Sequence, residues 1–214
     1  SSELLPLADF MIDIHSGGSK SVYVPSTFVY AGPTEDAWQQ KVDAVNAMDL
    51  PYAIVVEPGM KSGSLSGAAD LAGVWMISAE LGGAGTIDQK ILSMARDGLR
   101  HLLGVVGVLP LDNDTKPARE EHGSQTTWIA LESDSAILST VSGLFEPTVE
   151  LGESVVAGQP VGRVHFIEEL GRSAKEFFAP FDGIVAVTRH PALVVPGSAL
   201  INIAIPMKGP HQRS

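Results

Sequence analysis

The amino-acid sequence predicts an α/β protein: a sheet layered with helices, then a small all-β barrel or sandwich. Three observations predict it. Strand and helix patterns alternate through the first half; a polar, proline-broken stretch, "PLDNDTKPAREEHGSQT", interrupts them; beyond it only short strands appear, punctuated by Gly and Pro. The expected units are residues 1–109, a linker or long exposed loop at 110–126, and a β unit at 127–208.

Taken in order, "DFMIDIH" alternates as a strand, with Phe10, Ile12 and Ile14 on one face and Met11, Asp13 and His15 on the other. "SVYVPSTFVY" reads as a second strand, in which Pro25 predicts an edge or a bulge. Residues 34–49 read as a helix capped by Thr34, with Trp38, Val42, Val45 and Met48 as its buried stripe. "YAIVVEP" is a short apolar strand and "SGSLSGAADLAG" a short helix framed by glycines. "GVWMISAE" is a further strand, which puts Val74, Met76, Ser78 and Glu80 on one face. "IDQKILSMARDGLRHLLGVVGVL" then reads as a long helix, with Ile87, Ile91, Met94, Leu99, Leu102 and Leu103 at roughly helical spacing.

The tail contains a weak internal repeat. "SGLFEPTVELGESVVAGQPVGRV" and "DGIVAVTRHPALVVPGSALINIA" match Gly143 with Gly183, Val155 with Val194, Gly158 with Gly197 and Val161 with Leu200. Two such copies about a pseudo-two-fold axis make a small flattened barrel, a layout that resembles lipoyl-type domains. Those domains carry a modifiable lysine in an exposed hairpin, commonly beside Met or Asp. Lys175, in "SAKEFF", lacks that setting, which argues against a carrier function.

Composition narrows the function. The chain has 214 residues, 44% of them hydrophobic, enough for a substantial core. No apolar run approaches the ~20 residues of a membrane span. Fourteen Lys and Arg against 25 Asp and Glu leave a net charge of −11, which disfavours nucleic acid and anionic membranes as partners. With no cysteine, thiolate metal sites, disulfides and cysteine nucleophiles are excluded. The N-terminus has neither the basic nor the apolar region of a signal peptide; it reads as the end of a helix feeding a strand, so the chain is expected to start inside a domain.

Two strands end in a titratable residue followed by a glycine pair, "IHSGG" and "AELGG". If the strands are neighbours, His15 and Glu80 converge at one rim of the sheet, where α/β proteins keep their chemistry. A carboxyl in an apolar rim has raised proton affinity and can serve as general base and then acid. Taken singly, His15 reads as well as a hydrogen-bonded structural histidine, and Glu80 as an ion-paired residue. Other patterns fail: "GSLSG" has Leu65 where a nucleophile elbow needs serine, and "GGAGTID" has Asp88 at the third glycine position of a dinucleotide loop. In "RHPALVVPG", Arg189 and His190 read as a surface turn or as a lip over a substrate channel.

"LADFMIDIHSGG", "AELGGAGT", the polar linker and "GLFEPTVELGESVVAGQPVG…FFAPFDGIV", in that order, resemble the succinylglutamate desuccinylase/aspartoacylase family, and within it the N-acetyl-diaminobutyrate deacetylases of ectoine breakdown. The resemblance implies a mixed-sheet, zinc-carboxypeptidase-like domain that is N-terminally incomplete. It implies Zn2+ as cofactor, with His15 as one ligand and Glu80 as the base that activates water. The family's early "H-x-x-E"-type motif and its carboxylate-gripping basic residues are expected upstream of Ser1. Asp13 is expected either to orient the His15 imidazole or to be tied into a neighbouring turn. Gly17 and Gly18 would let substrate approach, with Ser16 as a hydrogen-bond donor.

The implied activity is deacylation of a small N-acyl amino acid such as N-acetyl-2,4-diaminobutyrate, in the cytoplasm, with homo-oligomerisation left open. The alternatives are a metal-poor binding or assembly module, and a carboxypeptidase or esterase on the same fold.

Overall fold

A computed structural model describes residues 3–31, 34–56, 64–110, 125–169 and 171–210. The expected linker therefore lies outside the described residues, apart from its ends.

A 3-10 turn at Leu5–Leu7 leads into β1 (Phe10–His15), β2 (Ser21–Tyr23), β3 (Ser26–Tyr30), α1 (Glu35–Met48), β4 (Tyr52–Val56), α2 (Leu65–Leu71), β5 (Trp75–Glu80) and α3 (Gln89–Val105). Then come β6 (Thr127–Leu131), β7 (Ala136–Leu138), β8 (Gly143–Pro147), β9 (Ser154–Val155), β10 (Pro160–His165), β11 (Lys175–Phe178), β12 (Gly183–Arg189), β13 (Leu193–Val194) and β14 (Ala199–Pro206).

Each α-helix starts where a short polar side chain accepts from an unpaired first-turn N–H. Thr34 accepts from Ala37 (3.2 Å), Ser64 from Gly67 (3.1 Å) and Asp88 from Ile91 (2.9 Å). Trp38, Val42, Val45 and Met48 are buried as expected, but Lys41 is buried among them. The third helix is shorter than its pattern: Ile87 precedes the Asp88 cap and is 78% exposed.

The large sheet is mixed. β1 pairs parallel with β5; β3 runs antiparallel to β5 and parallel to β4. Helices α1 and α3 cover one face, over Val29, Ala53, Val55, Ile77 and Ala79. On the other face Met11 and Met76 pack with Leu5 and with Ala69 of α2.

Two expectations change. "SVYVPSTFVY" is two strands, because Pro25 has no N–H to give a ladder. Val24 instead donates to Ala186 (3.0 Å), and β2 pairs with β12 while β3 stays between β4 and β5. Thr127–Leu131, expected within a separate β unit, extends the first sheet, parallel to β4 from Tyr52–Thr127 to Val56–Leu131.

The strand order β1-β5-β3-β4-β6-β14-β12-β2 therefore runs through both halves of the chain. It also curls back on itself. Val22 bridges to Gly83, just past β5, and the Tyr23 N–H donates to the Gly82 carbonyl at 3.1 Å. The interior of this closure holds Val24, Ile54, Val56, Ile129, Ile184 and Val187, with Tyr23, Phe28 and Tyr52 packed against them.

The repeat is visible in the pairing. β9 of the first copy pairs with β12 of the second through Val155 and Gly183; β13 of the second pairs with β8 of the first through Val194 and Gly143. The tight turns match too: Gly158 donates to Ala179 and Gly197 to Ser139, each at 2.8 Å. A second, four-stranded sheet, β11-β10-β8-β13, closes this part of the molecule. Among the described residues no helix is long and apolar enough to cross a membrane.

Candidate active site

His15 and Glu80 are register partners at the ends of β1 and β5. Parallel neighbours stand about 4.8 Å apart and partners share a face, so alternation brings the imidazole and the carboxyl side by side. Asp13 and Ser78 form the next pair inward on that face. Ser26 of β3 is the antiparallel partner of Glu80, so the carboxyl is flanked from both strands.

The two glycine loops are sewn together. Leu81 donates to His15 (3.0 Å), Gly17 to Gly82 (3.0 Å), Ala84 to Ser21 (3.1 Å) and Gly85 to Gly18 (2.9 Å). A Cβ on Gly17 would meet the Ser21 carbonyl at 2.3 Å, and one on Gly83 would meet it at 2.0 Å. The missing side chain of Gly17 thus serves this backbone contact. Gly18 differs: it sits at φ +61° with open space around it, and Ser16 is exposed.

Asp13 does reach the histidine. Its Oδ2 lies 2.7 Å from His15 Nε2, and this hydrogen bond, with the Asp13 and Glu80 charges, raises the imidazole's proton affinity against a smaller effect of burial. Burial pushes the Glu80 carboxyl above its ordinary range; the His15 charge opposes the rise and Asp13 adds to it. Glu80 Oε2 and Ser26 Oγ are both buried without a hydrogen-bond partner. Buried polar atoms are normally paired, so two orphans on register neighbours mark a place where stability yields to another requirement.

Sequence reasoning missed two neighbours. Tyr23 has its hydroxyl held protonated, first by burial and then by the Glu80 charge. Ser26 is wholly buried. A signal existed for Ser26: it follows Pro25, where the chain must re-enter the sheet. None existed for Tyr23, whose position depends on pairing between β2 and β12.

Among the described residues no group of three or more His, Asp or Glu is placed to hold a metal. Catalytic zinc sites use three protein ligands, so the described residues do not amount to a zinc site by themselves. Of the other described histidines, His101 Nδ1 lies 3.0 Å from the Ala47 carbonyl and His165 pairs with Glu146 on the outer face of the small sheet, while exposed His190 follows β12, its N–H donating to the Lys20 carbonyl at 2.9 Å. His122 and His211 lie outside the described residues.

A buried ionic contact lies remote from this rim. Lys41 Nζ donates to Asp70 Oδ1 and to the Tyr30 carbonyl, each at 3.2 Å, tying α1 to α2 and to the far end of β3. Its pKa is pulled down to about 8 by burial.

Comparison with known proteins gives the family and the fold. Residues 1–106 match the model of the succinylglutamate desuccinylase/aspartoacylase catalytic domain. The chain is 30% identical over 206 residues to the N-alpha-acetyl-L-2,4-diaminobutyric acid deacetylase of Halomonas elongata, covering 94% of this chain and 57% of that protein. It is similar in structure to the product-bound ectoine utilization protein EutE (DoeB) of Ruegeria pomeroyi, with TM-score 0.84, 25% identity, and 95% and 60% of the two chains covered. The succinylglutamate desuccinylase/aspartoacylase of Rhodobacter sphaeroides gives TM-score 0.86 at 25% identity, covering 97% of this chain and 61% of that one. The chain thus spans about three-fifths of the length of these relatives. With the domain model and the similarity in sequence and fold in agreement, the chain belongs, through its residues 1–106, to the succinylglutamate desuccinylase/aspartoacylase family.

Proposed function

We propose that the chain carries part of the active site of an amide hydrolase that removes the acyl group from a small N-acyl amino acid. The substrate proposed is N-acetyl-2,4-diaminobutyrate, the compound for which the Halomonas relative is named. One observation carries the reading: His15 and Glu80 end adjacent strands in register, and burial holds Glu80 at raised proton affinity.

Glu80 is the base. It takes a proton from the water whose oxygen attacks the amide carbonyl, and returns it to the nitrogen as the C–N bond breaks, leaving the carboxylic acid and the amine, between which the acid's proton passes to give carboxylate and ammonium. Asp13, bonded to Nε2, fixes the His15 ring and leaves Nδ1 as its other donor atom. Ser16 and Gly18 border the approach to Glu80, while Gly17 keeps the loop in place. Zn2+ remains part of the proposal: His15 supplies one ligand and the others lie outside the described residues. When bound, the metal would supply Lewis acidity.

The experiment is acetate release from N-acetyl-2,4-diaminobutyrate by the purified protein equilibrated with Zn2+, with metal content measured on the same sample. Acetate release supports the hydrolase; stoichiometric zinc without acetate release overturns this substrate assignment. That no three-ligand group stands among the described residues motivates a second reading, a metal-poor binding or assembly module; substrate binding with neither zinc nor turnover would support it instead.

A further inference from the structure

A row of register partners crosses the large sheet at the rim of the site: His15 of β1, Glu80 of β5, Ser26 of β3 and Tyr52 of β4. Partners share a face, so Ser26 flanks Glu80 on the side away from His15, with facing Cβ atoms about 5 Å apart. The backbone around Ser26 is fixed on both sides. Val24 donates to the Ala186 carbonyl at 3.0 Å, and the Pro25 carbonyl accepts from the Tyr52 N–H at 3.3 Å. Ser26 is wholly buried, whereas Ser16 of the glycine loop is exposed.

A hydroxyl in that place costs stability. A buried O–H without a partner forfeits its bonds to water, and alanine would fill the position without that loss. Five buried side-chain oxygens lack a partner among the described residues: Ser26 Oγ, Thr27 Oγ1, Ser66 Oγ, Thr188 Oγ1 and Glu80 Oε2. Of these, only Ser26 and Glu80 are register partners. They are also complementary, since the hydroxyl donates and an ionised carboxyl only accepts. Rotation about the glutamate's side-chain bonds is enough to span the gap between facing Cβ atoms. Hydrogen bonds of catalytic groups are often long or poorly aligned before substrate binds, and tighten in the reacting complex.

We infer that Ser26 is a positioning residue for Glu80: with substrate bound, its Oγ–H donates to Oε2 and holds the carboxylate with Oε1 turned to the attacking water. The hydroxyl keeps its proton throughout; Oε1 takes the proton of water and passes it to the amide nitrogen. The inference rests on the hydrolase reading above and adds the residue that orients its base. Ser26 suits the part because β3 is an inner strand, paired on both sides, so its hydroxyl stays in place when the carboxyl swings. A base held at hydrogen-bond reach of its proton gains rate without binding substrate more tightly.

The test is steady-state acetate release from N-acetyl-2,4-diaminobutyrate at equal Zn2+, with a melting temperature for each protein. The proteins are the wild type, Ser26→Ala, Ser26→Cys, Glu80→Gln and the double variant Ser26→Ala/Glu80→Gln. Ser26→Ala should lower kcat about ten- to a hundredfold, the worth of one hydrogen bond to a charged group, with KM unchanged. Its melting temperature should equal or exceed that of the wild type, because an unpaired buried hydroxyl is gone. Ser26→Cys, a weaker donor of similar shape, should recover part of the lost rate. On top of Glu80→Gln, Ser26→Ala should cost nothing further, since its effect passes through the carboxyl. Wild-type kcat in Ser26→Ala, the same fold-loss on top of Glu80→Gln, or a loss of kcat that comes with a lowered melting temperature overturns the inference and leaves the hydrolase reading intact. If the wild type releases no acetate, the hydrolase reading falls and the inference with it.

Discussion

His15 closes β1 opposite Glu80 at the close of β5, and the backbone locks that pairing, since Leu81 donates to the His15 carbonyl just past the two side chains. The carboxyl is held in this position at the expense of its solvation. Glu80→Gln keeps the shape and removes the ionisable group, so its melting temperature should equal or exceed that of the wild type by about 2–4 °C, the response of a chain this size to roughly 1 kcal/mol. Thermal unfolding at pH 7 checks it; a fall of that size would mean that the ionised carboxyl supports the fold.

The glycines of the two loops should separate by role. Gly17→Ala and Gly83→Ala force a Cβ into the Ser21 carbonyl and should destabilise by about 2 kcal/mol or more. Gly18→Ala meets open space and bears only the left-handed backbone penalty, about 1–2 kcal/mol. Urea unfolding of the three variants gives the order, with Gly83→Ala the most damaging.

Lys41 makes stability depend on alkaline pH. Its folded pKa of about 8 lies below the ordinary 10.5, so between these values the unfolded chain binds more protons than the folded one. Stability contributed by this group therefore rises as pH goes from about 8 to 10.5, by up to about 3 kcal/mol. The difference between wild type and Lys41→Met in denaturant midpoint, followed across that range, should grow; a flat difference would place the lysine in water.

Much of the site was legible in the sequence because it depends on local period and punctuation. Alternation alone assigned Asp13, His15, Ser78 and Glu80 to their faces, and glycine pairs after both strands marked loops that needed close backbone contact. The repeat was legible for the same reason, its turns recurring at Gly158 and Gly197. Long-range pairing was not legible. Nothing local says that the chain divides at Pro25 so that β2 can reach β12, or that Thr127–Leu131 lies beside β4. Tyr23 and Ser26 were missed with those pairings. Lys41 was missed differently: it sits at helical spacing within the apolar stripe, and its partner Asp70 is 29 residues away in sequence.

Turnover by Glu80→Gln tests the shared pocket most directly. With N-acetyl-2,4-diaminobutyrate, equal Zn2+ and a melting temperature no lower than that of the wild type, kcat should fall by about a hundredfold or more, the loss typical of a removed general base. A variant that turns over at the wild-type rate would contradict the assignment of Glu80, and with it the claim that the paired strand ends form the reacting centre.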